Sequence, residues 1–130
     1  MDIVIKVTVE AGGVSAEKNP EAADQTDTIT WVFNSGRDDL QVVFKKVEFR
    51  NGSSLLLHEQ GPFSRPLSRK GRKISGTIAA AAPGGRYLYD IRDGNNQQLT
   101  WLNPLSEDQN FGGLDVPKPP RKSQKQRSVD

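Results

Sequence analysis

Apolar and polar residues alternate through several short stretches of this chain, and a period of two is that of a strand with one buried face. Ile3, Ile5, Val7 and Val9 alternate with Val4, Lys6, Thr8 and Glu10, which sets out a first strand. Residues 11–25 hold Gly12, Gly13, Asn19 and Pro20 among small and charged side chains. They read as a long connection with one helical turn at 20–23. Over 28–33 the alternation returns, with Ile29, Trp31 and Phe33 set against Thr28, Thr30 and Val32. These β-branched and aromatic types suit a half-buried pleated surface.

After a polar turn at 34–39, residues 41–50 alternate again, but the apolar phase slips from Val42 and Phe44 to Val47 and Phe49. One extra residue near 44–46, a β-bulge, accounts for the slip. Asn51-Gly52 follows, and because both residues tolerate positive φ it predicts a two-residue type I′ hairpin into a strand over 54–58. Ile74, Ile78 and Ala80 mark a further strand and 87–91 another, with 98–102 as its partner across 92–97 and 114–116 as a last short one. Helical periodicity is nowhere sustained for a dozen residues, since the good helix formers of 78–82 end at Pro83-Gly84-Gly85. The expected fold is all-β, an antiparallel Greek-key β-sandwich occupying residues 1–116 as one domain.

Beyond Val116 the composition turns to Pro, Lys, Arg, Ser and Gln. Too little apolar surface remains to offset the entropy of ordering, so 117–130 is expected to be a disordered basic tail. The formal net charge of +2 is correspondingly uneven. Lys118, Arg121, Lys122, Lys125 and Arg127 face only Asp130, which leaves the rest of the chain net negative and weakens any bulk-charge argument for nucleic-acid binding. Cysteine is absent, which excludes disulfides, thiolate zinc sites, iron–sulfur clusters and a Cys nucleophile. No run approaches the roughly 20 apolar residues of a membrane helix. Residues 1–10 alternate instead of forming a leader's apolar core. The compartment stays open, extracytoplasmic if a leader was removed and cytoplasmic otherwise.

Asp27-Thr28-Ile29-Thr30-Trp31-Val32-Phe33-Asn34, then Gly71, Ile74 and Ile78, then Pro83-Gly84-Gly85-Arg86-Tyr87-Leu88-Tyr89, resemble in order and spacing the strand motifs of the cupredoxin family. The resemblance covers about residues 1–116 and implies that family's sandwich. In the family, the turn after the first motif carries a copper histidine, and the last motif leads to the copper cysteine. Carried over residue by residue, the histidine position falls near Leu40 and the cysteine position on Ile91. A second histidine and a methionine are then due in 92–113, which contains neither and is longer than the family's ligand loop. It brings Leu99, Trp101 and Leu102 instead, so the resemblance implies apolar packing or an added hairpin where a metal would sit. A type 1 copper site needs two imidazoles and a thiolate. This chain has one histidine and no thiol. No cofactor is expected.

Other chemistry is sparse. His58, the lone histidine, falls at a polar strand end and reads as structural, with neither a triad nor a multi-histidine site available. Asp38-Asp39, Asp90 with Asp93, and Glu107-Asp108 lack the spacing of a cation loop and read as solvated charges. Pro83-Gly84-Gly85 leads into a strand without a following Lys-Ser/Thr, so it is a turn and no phosphate loop. Tyr87, Tyr89 and Trp101 are candidates for an aromatic ligand platform, although their spacing beside Ile91 favours packing. Arg65, Arg69, Lys70, Arg72 and Lys73 crowd one connection and are candidates for binding phosphates or an acidic partner; an edge kept soluble by charge is the plainer reading. Neither basic segment interleaves the aromatics that stacked bases require.

The expected function is a non-enzymatic binding or structural module without copper, hence no electron carrier, that meets a protein partner through loops or an edge. The alternative is anion or nucleic-acid binding through the basic 65–73 connection and the tail. A hydrolase or isomerase would have only His58 and scattered carboxylates to work with.

Overall fold

In the computed structural model, which describes residues 1–11, 13–34, 39–56 and 61–119, the first alternating run forms β1 (Asp2–Glu10). Ile5 and Val7 are buried there, while Asp2, Val4 and Lys6 face outward. The connection that follows carries two strands its sequence does not announce, β2 (Gly13–Ala16) and β3 (Glu21–Ala22). No helical turn forms at 20–23. Those backbone groups serve a ladder instead, and Ala23 N donates to Asp115 O at 3.0 Å. In β4 (Thr28–Phe33) burial follows the alternation residue by residue, with Ile29, Trp31 and Phe33 inside.

The phase slip is a bulge between Phe44 and Lys46 in β5 (Gln41–Glu48), which keeps Phe44 and Val47 both inward. The hairpin to β6 (Ser54–Leu56) is not of type I′. Phe49 N donates to Ser53 O, Gly52 N donates to Phe49 O, and only Gly52 takes a positive φ, at 91°. This is a type I turn closed by a glycine bulge. Asn51 acts through its side chain, whose Oδ1 accepts from Ser53 N (2.9 Å) and Ser53 Oγ (2.6 Å). The expected continuation of that strand to His58 lies outside the described residues, as do Asp38 and the tail from 120 onward.

Next come β7 (Ser68–Lys70) and β8 (Lys73–Thr77), a hairpin whose first strand is polar and exposed throughout. β9 (Gly85–Arg92) holds the centre of its sheet, and Leu88 and Asp90 on one face are buried as fully as Tyr87, Tyr89 and Ile91 on the other. The chain closes with β10 (Gly112–Val116), after which Pro117 O accepts a hydrogen bond from Gln25 Nε2 at 2.7 Å. Residue 117, expected as the start of the tail, is thereby tied to the body.

The strands form two sheets of five, ordered β2-β1-β4-β8-β7 and β3-β10-β9-β5-β6. The sandwich is the expected one, and no helix occurs among the described residues. Its sheets are mixed rather than wholly antiparallel, because β1 runs parallel to β4 and β3 parallel to β10. A parallel pair needs a long return path. The chain between β1 and β4 supplies one, using it for β2 and β3. Between the sheets, Trp31 meets Phe44, Phe63 and Tyr89 edge-on, with ring centroids 5.4–6.0 Å apart. Each such buried aromatic contributes roughly 1.5–3 kcal/mol by transfer from water.

Candidate functional site

The position that the resemblance assigns to copper lies where β5 begins and β9 ends, with Gln41 beside Arg92 and Val42 beside Ile91. Leu40 and Ile91 are both 0% exposed and belong to the core. The segment 98–102 does not form the expected partner strand. Its backbone meets β9 where Arg92 bridges Gln98 and Leu99 N donates to Ile91 O (2.8 Å). It then crosses to β2, where Val14 N donates to Thr100 O (2.8 Å) and Leu102 N to Val14 O (2.7 Å). Between those two bonds Trp101 drops into the core, 2% exposed.

Two adjacent glycines make room for this insert. A Cβ on Gly112 would come within 2.7 Å of Trp101 Cη2 and also strike the Tyr89 ring. One on Gly113, which faces the other way, would crowd Leu105 and Pro20 at 3.1–3.3 Å. The insert thus sends Trp101 into the sandwich and Leu105 over its outer surface. Asparagines hold it in place. Asn103 Nδ2 donates to Ala16 O (2.7 Å) and its Oδ1 accepts from Ala16 N (3.2 Å). Asn19 Nδ2 donates to Asn103 O (2.7 Å) and Phe111 O (3.1 Å), while its Oδ1 accepts from Gly113 N (2.9 Å). Asn110 Oδ1 accepts from Trp101 N at 2.8 Å. In the sequence these asparagines look like ordinary loop residues, and no spacing marks their role.

Tyr87, Tyr89 and Trp101 therefore belong to the core, and no aromatic platform is open to a ligand; buried faces cannot receive one. Tyr87 Oη donates to Pro83 O at 2.6 Å, and burial pushes its phenol up to about 12. Burial raises the Tyr89 phenol as well. Asp90, 1% exposed, is a charged group the sequence does not mark as buried. Burial pushes its carboxyl up, against the pull of Arg92 and Lys45. Arg92 Nη2 lies 3.2 Å from Asp90 Oδ2, whereas Asp90 Oδ1 and Arg92 Nε have no hydrogen-bond partner among the described residues. Among the described residues no three His, Cys, Asp or Glu side chains converge as a metal site.

The structure gathers Arg65, Arg69, Lys70, Arg72 and Lys73 on or beside the β7–β8 hairpin, all exposed. Lys70 stands directly across from Lys73. At the far end of the other sheet an open groove of about 550 Å³ is floored by a two-pronged ion pair, Arg86 Nε to Asp115 Oδ1 at 2.7 Å and Arg86 Nη2 to Asp115 Oδ2 at 3.0 Å. Both side chains remain about two-fifths exposed, at 41% and 40%.

No family model matches this chain. Nor does any curated protein. Among solved structures the chain is similar to the reduced Cu(I) form of a mutant amicyanin at pH 4, with 15% sequence identity, 87% of this chain and 81% of that chain covered, and a TM-score of 0.40.

Proposed function

We propose that this chain is a copper-free, non-enzymatic binding module built on a cupredoxin-like sandwich, and that it carries no electrons. The observation behind this reading is the filling of the ligand positions. Leu40 and Ile91, which offer no lone pair, sit fully buried in the same core as Trp101. A metal there would need polar ligands, and the space around these residues is taken by side chains close-packed as in any interior. What remains available for function is the surface, and its most concentrated chemistry is the cation-rich β7–β8 hairpin.

Copper titration of the full chain tests the proposal by absorption, electron paramagnetic resonance and voltammetry. The expected result is at most weak Cu(II) binding at His58 or the amino terminus, without an intense blue band. A strong blue band with a reversible couple, from a monomer, would overturn it.

A further inference from the structure

Asn51 and Gly52 form the exposed tip between β5 and β6, and Asn51 is the chain's sole asparagine followed by glycine. An asparagine so placed can react with its own backbone, because the amide nitrogen of the next residue can reach the side-chain carbonyl carbon. A side chain on that next residue hinders the approach, and glycine brings none. Nothing lies within 4 Å of a Cβ added to Gly52, so the space around it is open to water. Asn19 and Asn103 precede prolines, which have no N–H to give up. Asn34, Asn95, Asn96 and Asn110 are each followed by a residue with a side chain in the way.

The turn also prepares the carbonyl that is attacked. Asn51 Oδ1 accepts from Ser53 N at 2.9 Å and from Ser53 Oγ at 2.6 Å. Both donors point at the oxygen on which negative charge grows when Cγ is attacked, so they polarise the carbonyl and stabilise the tetrahedral intermediate. One bond works against the reaction, since Gly52 N donates to Phe49 O at 3.0 Å and must leave it before attacking. That bond belongs to a turn closed by the short edge strand β6, and an exposed edge with few packed contacts opens locally at small cost.

We propose that Asn51 is a site of spontaneous deamidation, with Ser53 supplying the donors for the oxyanion. Gly52 N gives up its proton to water and bonds to Asn51 Cγ. The Cγ–Nδ2 bond then breaks, and the amide nitrogen takes up a proton and leaves as ammonia. Water opens the resulting succinimide at either carbonyl. Opening at Cγ leaves an aspartyl residue, whose oxygen still accepts from Ser53 and keeps the turn. Opening at the main-chain carbonyl leaves an isoaspartyl residue, which routes the backbone through the side chain and lengthens it by a methylene. The pairing of Glu48 with Ser54 just beyond the turn is then lost. Either product lowers the net charge by one unit, so the reaction marks the age of each molecule. It needs only water, and it is independent of the copper-free binding reading.

The experiment keeps the full chain warm in mildly alkaline buffer and samples it by cation-exchange chromatography and peptide mapping, with the Asn51→Asp chain as the standard for the aspartyl product. A more acidic species should accumulate, its mass gain mapping to Asn51, and part of it should be a substrate for isoaspartyl methyltransferase. Ser53→Ala, at an exposed position, should fold as the parent does by its melting curve and deamidate roughly threefold to tenfold more slowly, the equivalent of one lost hydrogen bond. In urea, where the turn is gone, the two chains should react alike. Conversion at a different asparagine, or none at Asn51 while the urea-unfolded chain converts, overturns the site. A folded Ser53→Ala chain that reacts as fast as the parent, or one slowed equally in urea, overturns the part given to the turn.

Discussion

The indole of Trp101 meets the ring of Tyr89 edge-on, with centroids 5.6 Å apart and planes at 81°, and the bare backbone of Gly112 lets them meet. This contact anchors the 92–113 insert to the core. Gly112→Ala is therefore expected to cost about 1–3 kcal/mol by overpacking. Denaturant unfolding checks the value, and the fluorescence of Trp101 reports whether its ring has moved. A loss of a few tenths of a kcal/mol would mean that the insert yields freely.

Trp31, on the first sheet, reaches the second through Phe44 and Tyr89 and also meets Phe63. Truncating it removes a full aromatic from a close-packed centre, and Trp31→Ala should destabilise by about 3–5 kcal/mol. Equilibrium unfolding in urea measures this directly.

Asp90 makes the fold sensitive to pH. Its carboxyl is held above the ordinary value of 3.8, chiefly by burial. As pH rises from that value toward the folded-state pKa, the unfolded chain gives up a proton that the folded chain retains. This group therefore subtracts stability across that window. Asp90→Asn should remove that decline and leave the protein at least as stable near neutrality, with Arg92 still donating to Asn96 Oδ1 at 3.1 Å. Melting temperatures of parent and variant compared from acid to neutral pH check the sign. Parallel curves would show that Asp90 ionises as freely folded as unfolded.

The 49–53 turn separates two glycine-turn models. Gly52 has φ 91° with nothing within 4 Å of an added Cβ, so Gly52→Ala meets only backbone strain, about 1–2 kcal/mol. Asn51→Ala loses side-chain hydrogen bonds to Ser53, about 1 kcal/mol. In a type I′ turn Asn51→Gly would stabilise; here it should destabilise, and chemical denaturation of the variants decides.

Legibility in the sequence followed burial. β4 and β9 stood out because one or both of their faces are packed, and the bulge of β5 showed as a slipped phase. β2, β3 and β7 did not, being two to four residues long at sheet edges: β7 is wholly polar, and the alternation of β2, with Val14 and Ala16 inward, is too short to read. Leu40 and Ile91 were correctly placed as apolar filling, since that followed from their lacking ligand atoms. Tyr87, Tyr89 and Trp101 carried two readings because periodicity says which residues share a face, and not whether that face is covered. The register that sets Lys6, Val32, Lys73 and Lys70 side by side across the first sheet was invisible for a different reason. It exists only through the order of four strands, which pattern along the chain does not encode.

The three bonds of Asn19 join it to Asn103, Phe111 and Gly113, partners up to 94 residues away along the chain. Contacts that close so long a loop form after the local hairpins, because most of the loop's entropy must first be surrendered. The insert is therefore expected to lock late, behind the rate-limiting step of folding. Loosening it, for example with Asn19→Ala, should leave the refolding arm of a chevron nearly in place and steepen the loss of native protein through faster unfolding. Loss of the Asn19 bonds is thus expected to shorten the lifetime of the folded molecule more than it slows its formation.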